Sequence, residues 1–186
     1  PTRRSSDLKE RLYAANYKEL NDPMEGQYLY SNTPTSNKFS EIITNLKQQI
    51  RIVSLSREEN HPLMWAHYAN GHRGVAIGVE VDENVNFVKK INYTSSFLKL
   101  EDFEGLPDIE VARTIISNKI NVWSYEQEER ILVEDNSFLA RVKVCEVIAG
   151  RNMSNQDYSL MKELVNRLNP NIAVRRANNY IDEINW

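Results

Sequence analysis

Apolar positions recur along this chain in two rhythms. Ile50-Arg51-Ile52-Val53-Ser54-Leu55-Ser56 alternates and is β-branched, which predicts a strand. Val75 to Val81 alternates more strictly, with Val75, Ile77, Val79 and Val81 on one face, and Val88 to Thr94 is expected beside it. Tyr125 to Val133 and Arg141 to Ile148 predict two more strands at hairpin distance, the second stopping at Gly150. Shorter extended segments are expected over Arg11 to Ala15 and Ile172 to Arg175.

The other rhythm is helical. After a loop from Thr33 to Lys38, Ser40 is placed to cap a short helix carrying Ile42, Ile43 and Leu46. Met64 to Ala69 predicts a second helix, ended by Asn70-Gly71 because glycine accepts the left-handed cap conformation. Pro107 and Asp108 open a third, in which Ile109, Ala112, Ile116, Ile120 and Trp123 form a buried stripe. Ser154 with Asp157 resembles a capping box before Leu160, Met161, Leu164, Val165 and Leu168, and Asn169-Pro170-Asn171 breaks that helix. This order of elements predicts an α+β class, a mixed and mostly antiparallel sheet with helices packed on it.

Composition narrows the picture. The chain has 186 residues, 41% hydrophobic and 26% charged, as in a soluble globular domain. No apolar run approaches the ~20 residues needed to span a bilayer, so no membrane partner is expected. Cys145 is the single cysteine, which leaves no disulfide framework and makes a reducing cytoplasm the expected location. A net charge of −3 gives no whole-molecule attraction to nucleic acid. Pro1 to Leu8 resembles the translated read-through of a sequencing adapter. Residues 1–8 are therefore expected to be a non-native tail, and 9–186 one domain truncated at its N-terminus.

Two segments carry the candidate chemistry. Glu126, Glu128 and Arg130 lie at i, i+2, i+4, so a strand would place all three on one face and Tyr125, Gln127 and Glu129 on the other. Such a set is either an ion-pair ladder on a solvated face or a carboxylate pair in a cleft, with Arg130 orienting one member. In Met64-Trp65-Ala66-His67-Tyr68-Ala69-Asn70-Gly71-His72-Arg73-Gly74, His67 could act from a pocket as a base or donor. It could equally be a buried, hydrogen-bonded histidine, with Trp65 and Tyr68 packing the core. His61, His67 and His72 lack zinc-ligand spacing, and no metal site is expected from them. His72-Arg73-Gly74 suits a phosphate or is a solvated loop. Asp22 and Glu25 could join Glu126 and Glu128 around magnesium in a nuclease or phosphohydrolase, or Asp22 could cap its own turn beside Pro23.

Asn21-Asp22-Pro23-x-Glu25, Ser54-Leu55-Ser56, Met64-Trp65-x-His67-Tyr68-Ala69 with Gly74, and Trp123-x-Tyr125-Glu126-x-Glu128-x-Arg130 occur in that order. The series resembles the uncharacterised bacterial family called domain of unknown function 2971, from about Leu12 to the end of the chain. A Glu-x-Glu strand preceded by a Ser-x-Ser strand is also similar to the arginine–serine–glutamate group of ADP-ribosyltransferases. That resemblance implies NAD as cofactor, Glu128 as the catalytic carboxylate and Glu126 as the residue orienting the acceptor. Ser54 and Ser56 would form the cofactor wall. Arg130 and Tyr68 are expected on the cofactor side, and His67 on the catalytic side. The group's first-strand arginine has no counterpart here unless Arg11 stands in, and a helix–strand–strand–helix block intervenes between the motifs. A non-catalytic binding module, its aromatic motif serving as core, is the reading from a different class.

Overall fold

A computed structural model describes residues 11–134 and 138–178. Residues 1–8, expected as a tail, lie outside the described residues. The fold is α+β, with mostly antiparallel sheets and packed helices. Contacts group the chain into two compact units, which the sequence visits alternately.

The first unit holds Arg11–Arg57 and Asp82–Arg141. Its four-stranded antiparallel sheet has the order β2-β3-β8-β5, with β2 Ala15–Asn16, β3 Arg51–Ser56, β5 Phe87–Lys90 and β8 Glu128–Val133. Two ribbons accompany it. The short β1 (Arg11–Tyr13) runs antiparallel to β9 (Leu139–Arg141), and β6 (Asn92–Thr94) runs parallel to β7 (Asn118–Ile120). Helices α1 (Pro34–Gln49) and α3 (Asp108–Ile115) bury Ile43, Val111, Ala112 and Ile115 against Ile50, Ile52 and Leu132. Area removed from water at these aliphatic positions is the main stabilising term.

The second unit holds Glu58–Val81 and, among the described residues, 142–178. Here β10 (Lys143–Ala149) lies between β4 (Val75–Glu80), antiparallel, and β11 (Ala173–Arg176), parallel. Trp65 and Ala69 of α2 (Pro62–Tyr68) and its cap pack on Ile148. The remaining helix, α4, spans Asn155–Leu168 and is capped by Ser154, whose Oγ accepts from the Asp157 backbone N–H. Among the described residues no helix is long and apolar enough to cross a membrane.

Several expected elements differ in place. α1 starts at Pro34, not after Ser40: Thr33 accepts from Ser36 N–H, and proline at the first position presets the helical φ. Ser40 instead sits on the buried face against the Tyr28 hydroxyl. The stripe expected from Ile109 to Trp123 belongs to three elements, because α3 ends at Ile115. Ile120 then closes β7, and Trp123 lies in a 3-10 turn over Asn121–Glu126. The expected hairpin between the strands after Tyr125 and Arg141 does not form. β8 pairs with β3 and β5, whereas β10 pairs with β4 and β11. For the same reason Val88 to Thr94 does not neighbour β4; it supplies β5 and β6. Local periodicity identifies a strand but carries no information on its partner.

Candidate functional site

The first unit contains a buried network of five charged side chains: Glu25, Lys119, Glu126, Glu128 and Arg130, each 5% exposed or less. Glu25 follows the Asn21-Asp22-Pro23 turn, in which Asp22 Oδ1 accepts from Met24 N–H. Lys119 is the central residue of β7, and Arg130 lies on β8. Glu126 and Glu128 do not share a strand face as expected. Glu126 ends the 3-10 turn, and Gln127 is left-handed at φ 43°, so β8 begins only at Glu128. The kink still brings both carboxylates to one ammonium.

Lys119 Nζ lies 2.7 Å from Glu126 Oε2, 2.9 Å from Glu128 Oε2 and 3.8 Å from Glu25 Oε2. Arg130 donates from Nε to Glu128 Oε1 at 2.7 Å and from Nη1 to Glu25 Oε1 at 2.6 Å, with a further short bond from Nη1 to the Ile116 carbonyl. Three carboxylates and two cations give the network a formal charge of −1. So many ionisable groups are tolerated there because each carboxylate accepts a hydrogen bond from Lys119 or Arg130. The environment then separates them. Burial would raise the Glu128 carboxyl, but Arg130, Lys119 and a hydrogen bond from Ser54 outweigh it and hold Glu128 below the usual range. At Glu25 burial wins over Arg130 and Lys119, and its carboxyl is pushed up. Lys119 is held above its ordinary value, the carboxylates outweighing the burial that would lower it.

Ser54 and Ser56 are exposed and lie on β3, in register with Arg130 and Glu128 of β8. Ser56 Oγ donates to the Glu126 carbonyl at 2.6 Å. The serine edge is therefore where the buried network meets solvent. Half-buried aromatics flank the network: the Glu128 backbone N–H donates to the Tyr93 hydroxyl at 2.9 Å, and the Trp123 ring lies 5.4 Å from Lys119 Nζ. Glu129, on the opposite face of β8, pairs with Arg57 at 2.6 Å.

His67 and Tyr68 belong to the second unit. Both are exposed, and their rings meet edge-on at 6.4 Å. The buried rings of that motif are Trp65 and His72, stacked at 6.2 Å, with Trp65 Nε1 donating to the Glu59 carbonyl. The core role expected for Tyr68 thus falls to His72, and His67 is not a buried histidine. Arg11 lies opposite Arg141 on the β1–β9 ribbon. Among the described residues no group of three or more His, Cys, Asp or Glu is arranged to hold a metal ion. Lys119 and Arg130 occupy the positions between the carboxylates that a magnesium site would need.

Lys119 and Tyr93 were not legible as site residues. A lysine between Asn118 and Ile120 carries no local mark of burial, and only the parallel pairing of β6 with β7 brings both to Glu128.

Residues 64–131 match the model of a family described as a protein of unknown function, DUF2971. The matched span includes the Met64–Gly74 motif, Lys119 and the Glu126–Arg130 segment, while Asp22, Glu25 and the β3 serines lie before it. No curated protein and no solved structure matches the chain.

Proposed function

We propose that the domain carries out NAD-dependent ADP-ribosyl transfer or NAD glycohydrolysis with Glu128 as the working carboxylate. The observation that carries this reading is the contact between exposed Ser54 and ionised Glu128 at the solvent edge of the network. A carboxylate fixed before reaction and kept anionic is suited to a sugar cation. As the C–N bond to nicotinamide breaks, nicotinamide takes the electron pair and positive charge grows on the ribose, which Glu128 would stabilise. The acceptor hydroxyl, amine or water then bonds to that carbon and releases its proton. Ser54 and Ser56 would line the approach, the half-buried Trp123 and Tyr93 would offer aromatic surface for a base, and Glu126 would orient the acceptor. His67 and Tyr68, exposed on the second unit, are given no role in this step.

A second reading rests on the burial of all five charged groups. In it the network is a fold-specifying lock within a binding module, a use of buried ion pairs known from other proteins. The two readings separate by incubation with NAD. Nicotinamide release that E128Q abolishes, while E128Q remains folded by circular dichroism, supports the transferase or glycohydrolase. No release from the folded wild type, or release unchanged in E128Q, leaves the lock.

A further inference from the structure

Within the second unit a cleft of about 540 Å³ runs between α4 and β11. Ser159, Lys162 and Asn166 of the helix give it hydrogen-bonding groups, and Pro170, Ile172 and Val174 give it an apolar floor. Its size falls within the roughly 300–1,000 Å³ of clefts that hold a ligand. β11 is the edge of its sheet, pairing with β10 on one side. The register decides which of its backbone groups are engaged. The Ala177 N–H donates to the Ala149 carbonyl at 2.8 Å, so Ala173, Arg175 and Ala177 turn their N–H and C=O groups to β10. Val174 and Arg176 turn theirs outward, where no strand meets them among the described residues. Their side chains point to the helix: Val174 lines the cleft, and the Arg176 guanidinium lies 4.5 Å from the Tyr158 ring centre.

A free strand edge beside a helix can accept an extended peptide, main chain against main chain, with alternate side chains entering the cleft. Charge selects which peptide. Lys162 is exposed, and no carboxylate is paired with it among the described residues. Arg176 donates to neutral oxygens, the Met153 carbonyl at 3.0 Å and Asn155 Oδ1 at 2.9 Å. The carboxylate on the cleft wall, Glu163, is already matched by Arg167 within the helix. The uncompensated charge is therefore positive. We propose that the α4–β11 cleft binds an extended acidic segment of a partner protein, which adds to β11 as a further strand. A carboxylate of that segment meets Lys162, and its small apolar side chains cover Ile172 and Val174. A small anion could pair with Lys162 but would leave the outward backbone groups of Val174 and Arg176 unmatched, so the edge favours a peptide.

Fluorescence anisotropy of the full chain with a labelled, end-blocked peptide Thr-Val-Thr-Glu-Thr-Val-Thr tests this; its two Val and its Glu share one face. Saturable binding is expected, with Kd roughly 10–100 μM. K162E, at an exposed position, should melt like the wild type and bind the probe at least about tenfold more weakly. A probe with Lys in place of Glu should reverse that order, preferring K162E. Backbone N-methylation separates strand addition from simple charge attraction without touching the protein. Methyl groups on the Thr nitrogens and on the Val and Glu nitrogens lie on opposite edges of the extended probe, so one set should abolish binding and the other leave it. Equal binding by the two methylated probes overturns the proposal, as does a wild type that leaves the parent probe free to about 1 mM, or binding unchanged in K162E. Displacement of the probe by N-acetylglutamate amide at equal concentration assigns the cleft to a small carboxylate and overturns it too.

Discussion

Arg130 and Glu25, 105 positions apart in sequence, meet inside the first unit with Nη1 2.6 Å from Oε1. The same guanidinium holds Glu128 and the Ile116 carbonyl, so one fully buried side chain ties the Asp22–Gly26 turn, β8 and the end of α3 together. Five donors in a rigid fork make arginine suited to these four bonds, which the three N–H groups of a lysine could not all replace.

Removing that guanidinium strands two buried carboxylates. R130M is expected to lower unfolding free energy by about 3–5 kcal/mol, measured by urea denaturation. E25Q should cost less, since burial already pushes the Glu25 carboxyl towards its neutral form, which the amide resembles. Equal losses for the two variants would contradict the asymmetry between the carboxylates.

The two glutamates also act in opposite directions on acid stability. Glu128 is depressed in the folded state, so its contribution is complete above about pH 4.3, the unfolded value, and is lost as pH falls through the lower folded value. Glu25 is raised, so its contribution grows as pH falls. Urea midpoints measured from about pH 7 to 3 should therefore fall more gently in E128Q than in wild type, and more steeply in E25Q.

Lys47 of α1 is buried, with no carboxylate paired to it among the described residues. Its Nζ donates to the Gly26 carbonyl at 2.6 Å and lies 4.5 Å and 5.0 Å from the Tyr28 and Tyr17 ring centres. Burial, with a smaller contribution from Lys18, lowers it to about 8. The unfolded chain holds this proton to higher pH than the folded one, so stability should rise between pH 8 and about 10, by up to about 3 kcal/mol. Above about pH 10 the raised Tyr17 hydroxyl works the other way, because the folded state then keeps a proton the unfolded chain has lost. K47M should remove the rise; a wild-type stability that is flat between pH 8 and 10 would refute it.

Within Met64–Gly74, structure and chemistry should separate by mutation. W65A empties a core site and loses a hydrogen bond, and is expected to cost about 3–5 kcal/mol. H67A, on an exposed ring, should stay within about 0.5 kcal/mol of wild type. A change in activity or binding in H67A at unchanged stability would mark that imidazole as functional.

Gly150 is needed for a close approach rather than for a turn. A β-carbon there would lie 2.2 Å from the His72 carbonyl oxygen, which is itself bound by the Asn152 N–H. G150A should destabilise the second unit by at least about 2 kcal/mol, read as a lowered midpoint of thermal unfolding.

The amino-acid pattern alone determined the α+β class, the existence of β3, β4, α2, α4 and β11, and the left-handed stop at Asn70-Gly71, because these depend on neighbours within one or two turns of chain. It also marked Glu126, Glu128 and Arg130 as a charged set. Their burial, and the recruitment of Lys119 to them, was decided by the tertiary structure, which also joins Glu25 to the set as the sequence suggested, but through Lys119 and Arg130. Strand pairing across long sequence separations sets which side chains share an interior, and a lysine or glutamate bears no local sign that its charge will be matched there. The same holds for His67 and His72: the motif singles out both imidazoles, and only the approach of Gly150 and the stacking on Trp65 decide which one is core.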